Sequence, residues 1–405
     1  MSLRRSIAVR FAHACFVVLC AVWPIAVSNG AGGDEHDCPP EWSPAFPYDT
    51  ALFPYRNRCL DTADGTVHFI DEIGRDRAYD SPRATILLLH GNPTWSFLYR
   101  DIIPPLLAQG YRVVAPDFLG FGLSSKPDPE TYDYFPTAHA GMLEEFIATL
   151  DLRNVTLVVQ DWSGPIGLAV AGRAPWRIHA LVLMNTWVGS SDESSPGYRH
   201  VAIDWSRRNI DEEQHFLTTG TVPRGIANQL ALLRDPTRGP LFESIRRAYA
   251  GPFLDPVTDD PLSEDAIVPT NAVARAILQD PTLQEEAAAA TARFTYLPVG
   301  FIWGMDDRNF GALRCDEDAT LPCPPSLSCV DVDGRLLCLD DDGSPSLPYL
   351  DGLVARWPGE SILWRVARPT VGHFVQEHEP ELVARIVHHV TRAAIRRRPK
   401  TPTSR

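Results

Sequence analysis

The sequence predicts an α/β fold: a mostly parallel, doubly covered sheet with an inserted helical cap and a small cysteine-rich insertion. Three observations predict it. Apolar runs that end at a polar residue recur as "ATILLLHG" (84–91), "YRVVAPD" (111–117), "NVTLVVQD" (154–161), "HALVLMN" (179–185) and "PVGFIWGMDD" (298–307). Helix-patterned stretches separate several of them, as at 138–150 and after Gly164. The alternation stops after Asn185 and resumes at about residue 297. Strands buried on both faces read as continuous apolar runs, and strand–helix alternation is the wiring of a parallel sheet.

Taken along the chain, residues 1–28 read as a signal peptide. Arg4, Arg5 and Arg10 precede the apolar run 14–27, and Ala26 and Ser28 suit cleavage near Ser28. Pro24 and the shortness of the run argue against a stable membrane span, which needs about 20 apolar residues. Export to the periplasm or the medium is therefore expected. Residues 29–50, rich in Pro and Gly, look like an irregular arm, and "TVHFIDEI" (66–73) alternates like a strand. The first part of the main domain spans 29–187 and the second 294–390, with a basic tail at 391–405. Between the two parts, 188–293 carries helical patterns ("RGIANQLALLRD", "LFESIRRAYA", "LQEEAAAATARF") and no convincing buried strand.

The second insertion, 311–348, holds four cysteines, many Asp and little apolar material. It cannot build a core alone and needs cross-links. With Cys15 and Cys20 removed in the signal, six cysteines remain: Cys38, Cys59, Cys315, Cys323, Cys329 and Cys338. An even number in an exported chain points to disulfides. Cys38 is a candidate partner for Cys59, and the other four pair among themselves in one of three ways. No Cys-x-x-Cys pair and no EF-hand spacing is present, so no metal is expected. The net charge of −14 argues against nucleic acid as a partner.

Ligands of open parallel sheets bind beyond the carboxyl ends of the strands. The polar residues gathered there are His90, Asn92, Asp117, Asp161, Trp162, Asn185, Asp306, Asp307 and His373. Asp161 sits between a strand and a helix, in the position of a nucleophile elbow, and the order Asp161, Asp307, His373 is the α/β-hydrolase order of nucleophile, acid and base. A carboxylate needs no base to activate it. It can displace a leaving group from saturated carbon and become an ester of the enzyme. His373 is then free to activate water against that ester, with Asp307 fixing its tautomer. The Trp162 indole and the Asn92 amide supply N–H donors for a departing halide. The backbone N–H groups of Asn92 and Trp162 suit the later oxyanion. Asp117 reads as a brace for its own loop.

The segments "HGNPTWSFLYR" (90–100), "PDFLGFGLSSKP" (116–127), "VVQDWSG" (158–164), "WGMDDRNFG" (303–311) and "GHFVQEHEP" (372–380) resemble the motifs of haloalkane dehalogenases. The resemblance covers most of 65–390 outside the two insertions. It implies an α/β-hydrolase fold under a helical cap, with Asp161 as nucleophile, His373 as base, and Asn92 and Trp162 as halide donors. The acid maps to Asp307, because one subfamily's Glu position holds Asn185 here. The resemblance also implies a cis Asn92–Pro93 bond. Ser163 stands where the family usually has Gly, which predicts a tighter elbow or a displaced helix.

The resulting expectation is cofactor-free hydrolysis of a small haloalkane to alcohol, halide and a proton. An epoxide hydrolase shares the nucleophile and base but needs cap donors, for which Tyr198, Tyr249 and Tyr296 are candidates. A non-catalytic binding protein on the same scaffold is the third reading, against which the ordered triad speaks. Trp205 is a candidate for core packing or for a further halide donor.

Overall fold

The computed structural model describes residues 35–38, 48–74, 84–188, 221–307 apart from 256, 259, 264, 280 and 281, residue 312, 328–340 apart from 333 and 334, and 344–397. The expected signal peptide, Cys315, Cys323, Tyr198 and Trp205 lie outside them. Among the described residues, no helix is long and apolar enough to cross a membrane.

Nine strands form one sheet. In chain order its first members are β1 (Glu35–Asp37), β2 (Arg58–Asp61), β3 (Thr66–Ile73), β4 (Thr85–Leu89) and β5 (Arg112–Pro116). They continue with β6 (Val155–Gln160), β7 (Ile178–Met184) and β8 (Val299–Gly304). A separate antiparallel hairpin, β9 (Ser328–Val332) with β10 (Arg335–Leu339), precedes the last sheet strand, β11 (Ile362–Arg368). The sheet order is β1-β2-β3-β5-β4-β6-β7-β8-β11. Pairing is antiparallel from β1 through β3 to β5 and parallel from there to β11. The chain thus has an α/β-hydrolase sheet, with its parallel part built from the continuous apolar runs.

The helices are α1 (Ile103–Leu107), α2 (Pro136–Thr149) and α3 (Ser163–Arg173), then α4 (Thr221–Arg234), α5 (Pro240–Ala250), α6 (Val268–Gln279) and α7 (Thr282–Thr291) in the insertion. After β8 come α8 (Pro348–Val354), α9 (Val375–His378) and α10 (Pro380–Arg397). Proline opens α2 and α5, where its missing N–H costs nothing. β6 shows how both faces are covered. Thr156 meets Thr391 of α10 through their hydroxyls at 2.9 Å, while Leu157 and Val159 lie against Gly167 of α3. Alternate residues of one strand therefore face opposite helical layers.

Two expectations need correction. The arm at 29–50 is not irregular throughout: Glu35–Asp37 forms β1, paired with β2 and tied to it by the Cys38–Cys59 disulfide. Three residues make too short a run for alternation to show. The basic tail does not begin at 391 either. α10 continues to Arg397, because Val390, Thr391 and Ala394 extend its buried stripe. In the cysteine-rich insertion Cys338 is disulfide-bonded, and its cross-strand neighbour in the hairpin is Cys329.

A buried ion pair joins the sheet to the inserted helices. Arg100 donates from Nη1 and Nη2 to the two carboxylate oxygens of Glu377, at 2.5 and 2.7 Å. The Tyr249 hydroxyl of α5 donates to the same carboxylate. From the end of α4, Arg234 donates to the Glu377 carbonyl at 3.3 Å. Arg100, Tyr249 and Glu377 are all buried. Removing one member strands a buried charge. Glu377→Leu is therefore expected to lower the unfolding free energy by about 3 kcal/mol or more in urea titrations. Pairing it with Arg100→Met should recover much of the loss.

Candidate active site

Asp161 occupies the tip of β6 with φ of +54°. This left-handed conformation costs a residue with a Cβ about 1–3 kcal/mol and persists only where neighbours enforce it. Here they do. The Asp161 N–H donates to the Asn185 carbonyl at 3.0 Å. Its carbonyl accepts from the Gly164 N–H at 3.0 Å and from the Thr186 hydroxyl at 2.7 Å. Gly164 must be glycine, since a Cβ there would sit 1.8 Å from Thr186 Oγ1. The Ser163 hydroxyl accepts from the Gln160 N–H at 2.9 Å and lies 2.8 Å from the carbonyls of Leu89 and Gln160. The serine that departs from the family pattern thus ties the end of β4 to the end of β6.

Asp161 as a whole residue is 8% exposed. Its Oδ1 accepts the Asn92 backbone N–H at 2.9 Å, and its Oδ2 lies 3.4 Å from His373 Nε2. Gly91 makes this approach possible: a Cβ there would stand 2.4 Å from Asp161 Cβ. The Asn92–Pro93 bond is cis. The Asn92 side-chain amide donates to the Thr270 carbonyl of α6 at 3.0 Å. Trp162 is buried and packs edge-on against Trp187, with ring centroids 4.7 Å apart.

His373 follows β11 and stands between two carboxylates. Its Nδ1–H donates to Asp307 Oδ2 at 2.7 Å. Asp307 is itself held by the Asn185 amide, which donates to the same oxygen at 2.7 Å and to the Gly304 carbonyl at 3.0 Å. Asn185 is therefore the residue that orients the acid. Asp306 turns elsewhere in its backbone pairing, its N–H donating to the Val371 carbonyl at 2.9 Å. Burial works against a charged imidazole, but the Asp307 charge and the contacts to Asp161 outweigh it and raise the His373 pKa to about 10. Neutralising Asp161 would remove one of these charges and lower the affinity of the ring for its proton.

The remaining candidates sit apart from this cluster. Asp117 braces its loop: it accepts from the Ser96 and Leu123 N–H groups at 2.8 and 2.9 Å, and from His68. His90 accepts from the Phe118 N–H at 3.0 Å within the same network. Tyr249 is spent on Glu377, and Tyr296 is 63% exposed. Two residues with a clear place here escaped the sequence reading. Gln160 touches His373, and Glu377, four residues beyond His373, anchors that loop; apolar periodicity signals neither contact.

The titration of His373 offers a direct check. Asp161→Asn removes one attraction for the imidazole proton, so the folded-state midpoint must fall. An NMR pH titration of the His373 ring should show a midpoint well above the ordinary value in the native chain, lower by at least one unit in Asp161→Asn.

Comparison with known proteins completes the picture. The family model for the alpha/beta hydrolase fold matches residues 84–334. Haloalkane dehalogenase 2 of Mycobacterium tuberculosis (strain ATCC 25618 / H37Rv) is 43% identical over 189 residues, 44% of this chain and 61% of that protein. A cis-3-alkyl-4-alkyloxetan-2-one decarboxylase of Shewanella oneidensis is 30% identical over 266 residues, 63% of this chain and 75% of the relative. The structure of the haloalkane dehalogenase DpaA from Paraglaciecola agarilytica NO2 superposes with a TM-score of 0.56. It is 23% identical and covers 87% of this chain and 98% of its own, which speaks to the fold. The chain spans about three fifths of the length of the dehalogenase relatives it matches. By its sheet, its elbow and the family match, the chain belongs to the α/β-hydrolase fold family and counts haloalkane dehalogenases among its relatives.

Proposed function

We propose that the chain is a hydrolytic haloalkane dehalogenase acting on a small substrate, with water consumed and alcohol and halide released. One observation carries the reading: the elbow holds a carboxylate where an acyl-transfer enzyme holds a serine, with its Oδ1 on a backbone N–H and its Oδ2 3.4 Å from an imidazole. Asp161 attacks the halogen-bearing carbon, forming a carbon–oxygen bond as the halide leaves. The Trp162 indole N–H and the second Asn92 amide N–H meet the growing charge; one such donor is typically worth about 3 kcal/mol of barrier. In the second step His373 takes a proton from water, and the hydroxide attacks the ester carbonyl. The tetrahedral intermediate collapses, the alkoxide takes the proton from His373, and Asp161 is regenerated with loss of one proton to solvent. Asp307 stabilises the imidazolium throughout.

Of the candidate epoxide donors among the described residues, Tyr249 is committed to Glu377 and Tyr296 is exposed, which does not favour an epoxide substrate. A second reading is favoured by the longer span shared with the Shewanella decarboxylase, 75% of that protein. The same carboxylate could open a strained four-membered lactone at its saturated ring carbon. Loss of carbon dioxide from the freed carboxylate would then expel Asp161 and leave an alkene, with no water consumed. We further propose export to an oxidising compartment, on the support of the Cys38–Cys59 bond and the bonded Cys338.

Bromide release from 1,2-dibromoethane, abolished about 10⁴-fold or more by Asp161→Ala, is the expected outcome. His373→Ala should accumulate an intact-protein mass increase equal to the bound alkyl group. Alkene and carbon dioxide from a cis-dialkyl oxetanone without bromide release would favour the decarboxylase. Diol from styrene oxide alone would favour the epoxide hydrolase.

A further inference from the structure

The dehalogenation scheme leaves one buried polar residue of the site without a task. Gln160, the last residue of β6, is fully buried beside the nucleophile. Its amide Nε2 lies 2.7 Å from His373 Nε2, closer than the 3.4 Å that separates this nitrogen from Asp161 Oδ2. The same amide nitrogen also lies 3.5 Å from the His373 carbonyl. At its other end Oε1 is buried with no hydrogen-bond partner among the described residues. That oxygen shares the face of Gly91 with the nucleophile: a Cβ on Gly91 would be 2.7 Å from Asp161 Oδ1 and 2.9 Å from Gln160 Oε1. One carboxamide therefore spans from the base to the carboxyl group whose ester must be hydrolysed.

We infer that Gln160 is the positioning residue for the hydrolytic water, its Oε1 accepting one hydrogen of the molecule whose other hydrogen goes to His373 Nε2. The inference rests on the dehalogenase reading and deepens its second step. An unpaired buried carbonyl oxygen is costly, so an acceptor left open at this place favours a donor. Water is the donor that the second step requires. The imidazole that the Gln160 N–H fits is the neutral one, and esterifying Asp161 removes one of the two negative charges that favour the protonated ring. When water occupies Nε2, the amide N–H is left to the His373 carbonyl. Water gives its proton to Nε2 and its oxygen to the ester carbonyl carbon, and the second hydrogen stays on Oε1 during the attack. The angle of approach is thereby fixed by two acceptors instead of one. Alkylation of Asp161 makes no use of this contact.

This partition yields a kinetic signature. If alkylation is irreversible, kcat/KM reports substrate binding and alkylation alone, whatever the hydrolysis rate. Gln160→Met, similar in size but unable to accept the water's hydrogen, is expected to lower kcat about ten- to a hundredfold. KM should fall in proportion, with kcat/KM within about twofold of the native value. Rapid-quench mass spectrometry should show the alkyl-enzyme accumulating at Asp161 in the steady state. Gln160→Asn, which withdraws the oxygen by one methylene, serves if the methionine variant does not fold and should show the same split. An equal fall in kcat and kcat/KM without ester accumulation, or no change in either, overturns the inference. Failure of the native chain to release halide is a separate result that sinks the dehalogenase reading. The Gln160 contact is then still decided by ¹⁵N NMR of the His373 ring in the substrate-free protein, recorded above the ring's titration midpoint where it is neutral. The Nε2 resonance should move in Gln160→Met, and an unmoved resonance overturns it.

Discussion

The site depends on a backbone turn that the residue making it does not favour. Asp161 is held at φ of +54°, and the turn survives because Asn185, Thr186 and Gly164 together take up its N–H and its carbonyl. The turn lifts the carboxylate off the end of the sheet and aims it at His373 and the Asn92 N–H. Everything nearby is shaped to the same end. Gly91 and Gly164 clear space for it, and the Ser163 hydroxyl fastens two strand ends beneath it. Local strain is carried by the surrounding framework, as is usual where chemistry is done.

The charges around His373 give the site its sequence of states. Two carboxylates on opposite sides of one imidazole favour the protonated ring while the nucleophile is bare. On the proposed mechanism, covalent capture of a substrate at Asp161 would cancel one of them and weaken the ring's hold on its proton. Asn185 holds the other carboxylate through its side-chain amide.

Much of this was legible in the sequence, and the pattern of what was not is informative. Strands β4 to β8 show as continuous apolar runs because both their faces are buried. β1 is three residues long, and β11 lies at the sheet edge with nearly every residue only partly covered, so neither carries a clear periodic signal. The triad stood out because its members cap strands or follow them in a fixed order. The residues that tune it did not. Asn185 reaches Asp307 across 122 positions of the chain, and Gln160 reaches His373 across 213. Such pairings are products of the tertiary fold, and nothing in the local composition of either partner announces them. Glu377 belongs to the same class: its partners Arg100 and Tyr249 come from the sheet domain and the insertion.

That last cluster constrains how this scaffold could diversify. The helices α4 and α5 belong to the insertion between β7 and β8. Yet Tyr249 and Arg234 on those helices also ground Glu377, one turn beyond the general base. Reshaping the entrance by shifting α5 would disturb the counter-charge under the catalytic loop. On the proposed function, any change in the insertion that served selectivity would reach the His373 loop through a single carboxylate, so remodelling here is safest where it leaves that anchor untouched.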